Sequence, residues 1–340
     1  MDSDYPEPEV HGGDIAQAER VFGRPAKGWL DLSTGINPVP YPNANVSVEA
    51  LARLPSGPQL DDLLSAARHY YGVAEGGAVT AAAGTQQLIQ LLPQLLAGRR
   101  VAIAGPTYSE HEIAWSRADR IVSPRAGWSE LAGADVAVVV NPNNPDGRLI
   151  ESSRIAELAD DLAKRHGVLI VDEAFCDAAP EMSAVALAAR DNLIVLRSFG
   201  KFFGLAGLRL GFCISAPAFA GRLADALGPW AVSGPALEIG TRALADAVWI
   251  AATRTRLAVQ RARLHEMLAQ SGLRIVGGTD LFCLVDSASA GALHRHLGLA
   301  GILVRRFADQ PRWLRFGLPG DDAGLARLAA ALADYAASSR

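Results

Sequence analysis

The chain of 340 residues sets 32 lysines and arginines against 36 aspartates and glutamates, a formal net charge of −4, and so lacks the basic surplus of a nucleic-acid binder. Half of the residues are hydrophobic and a fifth are charged, the balance of a globular protein with a large core and not of a disordered chain. Cys176, Cys213 and Cys283 are widely spaced without CxxC spacing, residues 1–10 (MDSDYPEPEV) do not read as a signal peptide, and no 18-residue stretch is apolar enough to span a bilayer; these features predict a soluble, cytoplasmic protein with no disulfide framework, no metal site and no membrane partner.

In chain order, the short run AVTAAAG (78–84) leads into TQQLIQLLPQLLAG (85–98), whose i, i+3, i+4 spacing predicts an amphipathic helix. RRVAIAG (99–105), ADVAVVVN (134–141), HGVLIVDEA (166–174) and DNLIVLRSF (191–199) are continuous apolar runs ending in Gly, Asn, Asp or Ser. Such runs predict strands buried on both faces, hence an α/β fold with a mainly parallel sheet. A second amphipathic helix is predicted over 151–166, with Ser152 and Ser153 as start signals. Beyond about residue 230 the texture changes. One long helix is predicted over 234–271, then strand-like LRIVGG, LFCLVD and GILVRRF, a short helix at 289–297, the segment PRWLRFGLP, and a final helix over 321–337. The expected division is a large domain over 46–233 and a smaller α+β domain built from 1–45 and 234–340.

Ligands in open α/β sheets collect beyond the carboxyl ends of the strands, and here those ends carry Gly105–Tyr108, Asn141–Gly147, Asp172–Phe175 and Ser198–Lys201. Lys201 stands in RSFGKFFGLAGLRLGF (197–212), where apolar surroundings disfavour the ammonium and favour the nucleophilic amine. Ser198, Lys201 and Arg209 together are what a phosphate-bearing aldehyde needs: a hydroxyl and a guanidinium for its phosphate, an amine for an imine. Asp172 closes a buried strand, where a carboxylate is costly unless paired, and a protonated pyridine nitrogen is a useful partner; a helix cap or backbone amides would serve as well. Glu173 reads equally as a surface or an interface carboxylate. Asn144 in NPNNPDG can donate to a phenolate-like oxygen, or merely build the turn. Gly84, Thr85 and Gln86 open a helix whose N–H groups suit a phosphate, although Thr85 as a plain cap fits nearly as well. Tyr108 can stack on a planar ring or simply pack.

Taken together, these residues resemble those of the fold-type-I pyridoxal-phosphate enzymes, in particular the class I/II aminotransferase group, over nearly the whole chain. The resemblance implies a seven-stranded α/β/α sandwich with a smaller domain, a homodimer, and pyridoxal 5'-phosphate as cofactor. It implies Lys201 as the amine that links to the cofactor, Asp172 at the pyridine nitrogen, Asn144 at the ring 3-hydroxyl and Tyr108 against the ring. Gly84, Thr85, Gln86, Ser198 and Arg209 would hold the phosphate, and Arg315 in WLRFGLP the substrate α-carboxylate. Two subgroups are in play: histidinol-phosphate aminotransferases, and decarboxylases of L-threonine O-3-phosphate that serve cobalamin biosynthesis. HGG (11–13), LDLSTGINPVPYP (30–42) and DEAF, with Phe175 where many transaminases carry tyrosine, look like the decarboxylases. A phosphorylated amino-acid substrate then needs cations and N–H donors at its far end, for which His11, Gly12, Asn37 and Arg305 are candidates; strand alternation turns Arg306 to solvent. The resemblance departs at Leu54, where related chains often place a tyrosine that reaches the partner's phosphate.

Overall fold

The computed structural model describes residues 12–338, which fall into two compact units: Pro40–Ala252, and the residues up to Val39 together with those from Thr253 onward. The larger unit is therefore wider than the 46–233 expected from composition. Helix Gly234–Ala245 belongs to it because small residues let it pack closely: a Cβ on Gly234 would lie 2.1 Å from the Ala50 carbonyl, and one on Gly240 would lie 2.8 Å from Leu63. The single helix expected over 234–271 is two, Gly234–Ala245 and Ala247–Gln270. The break falls at Asp246, whose carboxylate accepts from the Trp249 N–H (2.9 Å) and from the Tyr41 hydroxyl (3.3 Å), the capping role that suits Asp outside a helix.

The strands are β1 Leu30–Leu32, β2 Ala78–Ala82, β3 Arg100–Ile103, β4 Ile121–Ser123, β5 Val136–Val140, β6 Val168–Asp172, β7 Leu193–Ser198, β8 Gly211–Ser215, β9 Arg274–Thr279, β10 Phe282–Asp286, β11 Ile302–Arg306 and β12 Trp313–Gly317. In the larger unit seven strands pair in the order β2-β8-β7-β6-β5-β3-β4. The block from β7 to β4 is parallel, and β8 lies antiparallel between β7 and β2. The apolar runs of the sequence are buried along their middles, all five residues of β5 among them, as a sheet covered on both faces requires. The other unit holds a five-stranded sheet, β1-β11-β12-β10-β9, antiparallel except for the β1–β11 pair. Helices Ala290–Leu299 and Asp322–Ser338 accompany it.

Candidate active site

The topology brings one set of polar residues to a single edge of the seven-stranded sheet. Tyr108, Asn144, Asp172 and Lys201 follow or end β3, β5, β6 and β7, all parallel. Because β8 is reversed, Arg209 just before its start lies at that edge, and so does Gly84 just after the end of β2.

Lys201 sits in the one-turn helix Phe199–Phe202 and is half-buried, its Nζ 5.7 Å from the Phe175 ring centre. The aromatic residues around it are the anchor. Phe199, Phe202 and Phe203 are fully buried, Phe199 stacks on Phe203 (4.3 Å), and Phe203 stacks on Trp249 (5.6 Å). The turn is thus fixed by apolar contacts on either side of the one amine.

Arg209 adopts a left-handed conformation (φ 55°), unusual for a residue with a Cβ. Its guanidinium lies over Gly84, where a Cβ would come within 2.7 Å of Nη2, and Gly211 permits equally close approach to the Thr85 nitrogen (2.5 Å). Gly84 (φ 88°) is the cap of helix Thr85–Leu95 and no side chain caps it, so Thr85 is the first helical residue and the plain-cap reading of it fails. A helix amino terminus without a side-chain cap, beside a guanidinium, can receive an anion, and Ser198 at the end of β7 pairs with Gly211 next to it. Tyr108 donates to Gln86 Oε1 (3.1 Å), and Gln86 in turn donates to Glu110 (2.5 Å).

The turn NPNNPDG separates its three asparagines. The Asn141 amide donates to the carbonyls of Ile150 and Met182, and that of Asn143 to Pro106 O and Asp146, while its oxygen accepts from Thr107. Both are buried structural groups; Asn144 is half-buried.

Asp172 is 3% exposed, and its two oxygens accept from the Ala174 N–H (3.0 Å) and meet His111 Nε2 at 2.9 Å. His111 was not singled out from the sequence. The available signal is its position three residues after Tyr108 on helix Ser109–Arg117, which sets the two on one side of the helix, their rings 6.3 Å apart. Alternation along β6 turns Glu173 the other way, and it is neither a surface nor an interface carboxylate. It is fully buried, bonded to Arg197 (2.6 Å), the Ser183 hydroxyl (2.6 Å) and the Ala184 N–H (2.5 Å). Arg197 also holds Asp177 (2.5 Å) and lies 4.5 Å over the Tyr71 ring.

The remaining candidates belong to the other unit. Arg305 and Arg315 are direct partners across the β11–β12 ladder. Arg315 is buried, donates to the Ser33 carbonyl (2.9 Å) and lies 5.0 Å over the Phe282 ring. Burial and then the Arg305 charge press its guanidinium below the ordinary arginine value, and Asp31 acts in the opposite sense. Arg306 is exposed, as alternation predicts. Asn37 is buried, its side-chain oxygen accepting from the Val39 N–H (3.0 Å). Gly12 rests on the Ser33 carbonyl, and His11 lies outside the described residues. Among the described residues no cluster of His, Cys, Asp and Glu could hold a metal ion, and no helix is long and apolar enough to cross a membrane.

A family model described as "Aminotransferase class I and II" matches residues 29–332. A threonine-phosphate decarboxylase from Sinorhizobium sp. is 46% identical, covering 96% of this chain and 98% of its own. Another from Pseudomonas aeruginosa is 43% identical, covering 96% and 97%. The crystal structure of histidinol-phosphate aminotransferase from Sinorhizobium meliloti in complex with pyridoxal-5'-phosphate superposes with a TM-score of 0.82 at 23% identity, over 99% of this chain and 96% of that one, which shows the shared fold. The chain belongs to the class I and II aminotransferase family, whose fold is the type-I arrangement of pyridoxal-phosphate enzymes. It is a pyridoxal-phosphate-dependent enzyme, and the Gly84–Arg209 cradle, the braced Asp172 and the anchored Lys201 fit that cofactor.

Proposed function

We propose that this chain decarboxylates L-threonine O-3-phosphate to (R)-1-amino-2-propanol O-2-phosphate. The likeness to two threonine-phosphate decarboxylases over nearly the whole chain carries the reading. Arg305 and Arg315, opposite each other in the ladder, offer cations for the phosphate and the carboxylate of this substrate.

In this reading Lys201 meets the cofactor aldehyde, Asp172 its ring nitrogen, Asn144 its ring oxygen and Tyr108 its face, while Gly84, Thr85, Gln86, Ser198 and Arg209 hold its phosphate. When bound, the cofactor supplies an electron sink for the pair released as a bond at the substrate α-carbon breaks. Asp172, pinned by His111 and the Ala174 N–H, keeps a proton at the pyridine nitrogen. Arg315 grips the α-carboxylate, and Gly12, Asn37 and Arg305, with His11, grip the phosphate. Gripping both ends fixes rotation about the α-carbon and so selects which bond breaks, which is how decarboxylation prevails over transamination on a shared scaffold. Purified protein incubated with L-threonine O-3-phosphate should release carbon dioxide and aminopropanol phosphate with no keto-acid present. Transamination of histidinol phosphate with 2-oxoglutarate, and no carbon dioxide, would hand the protein to the aminotransferases.

The same reading includes a homodimer in a reducing, cytoplasmic compartment. Helix Val48–Ala52 and the residues after it leave Val48, Leu51 and Leu54 exposed (80%, 70% and 67%), an apolar cluster a second copy would cover. Light scattering should give twice the monomer mass; fully active protein near 35.8 kDa would contradict the dimer.

A further inference from the structure

Residues 31–34 form a short bracket whose hydrogen bonds exceed what holding β1 in its sheet requires. Ser33 is buried, and its hydroxyl uses both capacities: it accepts from the Gly13 N–H (2.7 Å) and donates to Asp31 Oδ1 (2.6 Å). That carboxylate oxygen also accepts from the Ser33 N–H (2.9 Å), so the Ser33 peptide is pinned from the amino side. Its carbonyl accepts from Arg315 Nη2 (2.9 Å). Glycine is needed on two sides. A Cβ on Gly12 would lie 2.5 Å from the Ser33 oxygen, and one on Gly317 would lie 2.3 Å from the Thr34 oxygen. A single residue thus joins, through its hydroxyl and its carbonyl, the Gly12–Gly13 turn to the Arg315 guanidinium.

We propose that Ser33 is a positioning residue that sets the spacing between the Gly12–Gly13 turn and Arg315, and with it the length of substrate the two accept. The proposal rests on the reading of Gly12 and Arg315 as grips for the phosphate and the carboxylate. A hydroxyl with donor and acceptor both engaged cannot turn without breaking a bond, and the carboxylate of Asp31 makes the bond it accepts roughly twice as strong as a neutral one. Because the spacing is held firmly, a ligand whose charged ends stand one carbon atom further apart cannot meet both grips, and the loss falls on binding.

The test compares L-threonine O-3-phosphate with L-homoserine O-phosphate, one methylene longer between its charged ends. Dissociation constants by calorimetry and kcat and KM are measured for wild type, Ser33→Ala, Ser33→Thr and Arg315→Ala, with bound-cofactor absorbance as the check on loading. Ser33→Ala removes the hydroxyl and keeps the peptide; it should raise the Kd and KM for threonine phosphate about tenfold, change kcat less than about twofold, and narrow the preference over homoserine phosphate about fivefold. Ser33→Thr, which keeps the hydroxyl, should keep the preference. Equal losses on both ligands, or a loss in kcat alone, would show a merely structural serine and overturn the proposal. If Ser33→Ala does not fold, Asp31→Asn, which keeps the shape and the acceptor, should narrow the same preference, and an unchanged preference overturns the proposal. Arg315→Ala should weaken both ligands alike. Wild-type affinity in Arg315→Ala overturns the carboxylate reading and the Ser33 proposal with it, whereas the expected loss there beside an unchanged Ser33→Ala preference overturns the spacing role alone.

Discussion

The two sheets carry their chemistry in different places. In the seven-stranded sheet the central strands are buried and almost wholly apolar, with Arg197 of β7 paired by Glu173 and Asp177, and every candidate site group stands at the carboxyl edge of the parallel strands or at the matching edge of β2 and β8. In the five-stranded sheet Arg305 and Arg315 lie within the strands, opposite each other in register. Strands covered on both faces admit charge only where it is paired, as at Arg197, so the candidate site groups stand at the strand ends and in the connecting loops, where anchors such as Phe199 and Phe203 supply rigidity. An antiparallel ladder gives side chains a fixed spacing directly, which suits gripping two ends of one small anion.

The largest expected effect falls at the loop edge. Lys201→Ala should lower kcat by at least about a thousandfold and abolish borohydride-trappable cofactor while leaving the fold intact. Covalent trapping that persists in Lys201→Ala would end the assignment of that lysine.

Next comes the interior behind the same edge. Arg197→Ala leaves Glu173 and Asp177 buried without their cation and should cost about 3–5 kcal/mol of stability, read by denaturant melts. Burial pushes the Glu173 carboxyl above its usual range, and Arg197, Ser183 and the Ala184 N–H pull it back. A raised carboxyl contributes stability at acid pH that is lost as pH rises through its folded value, and without Arg197 the rise is larger. The deficit of Arg197→Ala should therefore be greatest near about pH 8 and shrink toward about pH 5. A pH-independent deficit would mean that Glu173 is not the group left uncompensated.

The ladder arginines should show smaller, selective losses. Arg305→Ala should lower kcat/KM for threonine phosphate about ten- to a hundredfold and leave threonine nearly unaffected, whereas Arg315→Ala should hurt both. Equal losses on the two substrates in Arg305→Ala would reduce Arg305 to a structural residue and remove the contrast between the sheets.

The smallest effect is a pH slope. Burial first, then Arg306, pushes His294 down from 6.5 to about 4, against a hydrogen bond with the Val304 backbone. A depressed folded value means that its contribution is present above about pH 6.5 and lost as pH falls through 4. His294→Gln should flatten the acid limb of the stability profile by about 1 kcal/mol, roughly 2–4 °C in Tm at pH 5. An unchanged acid limb would show that His294 is solvated.

The sequence by itself determined the kind of the central elements, the buried strands β3, β5, β6 and β7 and the helices Thr85–Leu95 and Ser152–Ala163. Continuous apolar runs with polar endings specify parallel strands, because both faces of such strands must be dry, and the endings mark the functional edge. Residue type and spacing also marked Lys201, Asp172 and Arg209 as candidates for the site. Only the tertiary structure decided partnerships across long separations. His111 lies 61 positions from Asp172, and Arg197 lies 24 from Glu173 and 20 from Asp177. Alternation shows that Asp172 and Glu173 point oppositely, but only the packing on each face of the sheet reveals that one faces a histidine and the other a buried arginine. The helix break at Asp246 and the Ser33 bracket were hidden for the same reason. A local pattern records which way a side chain points, and a hydrogen bond also needs the other group, which chain folding brings from far away.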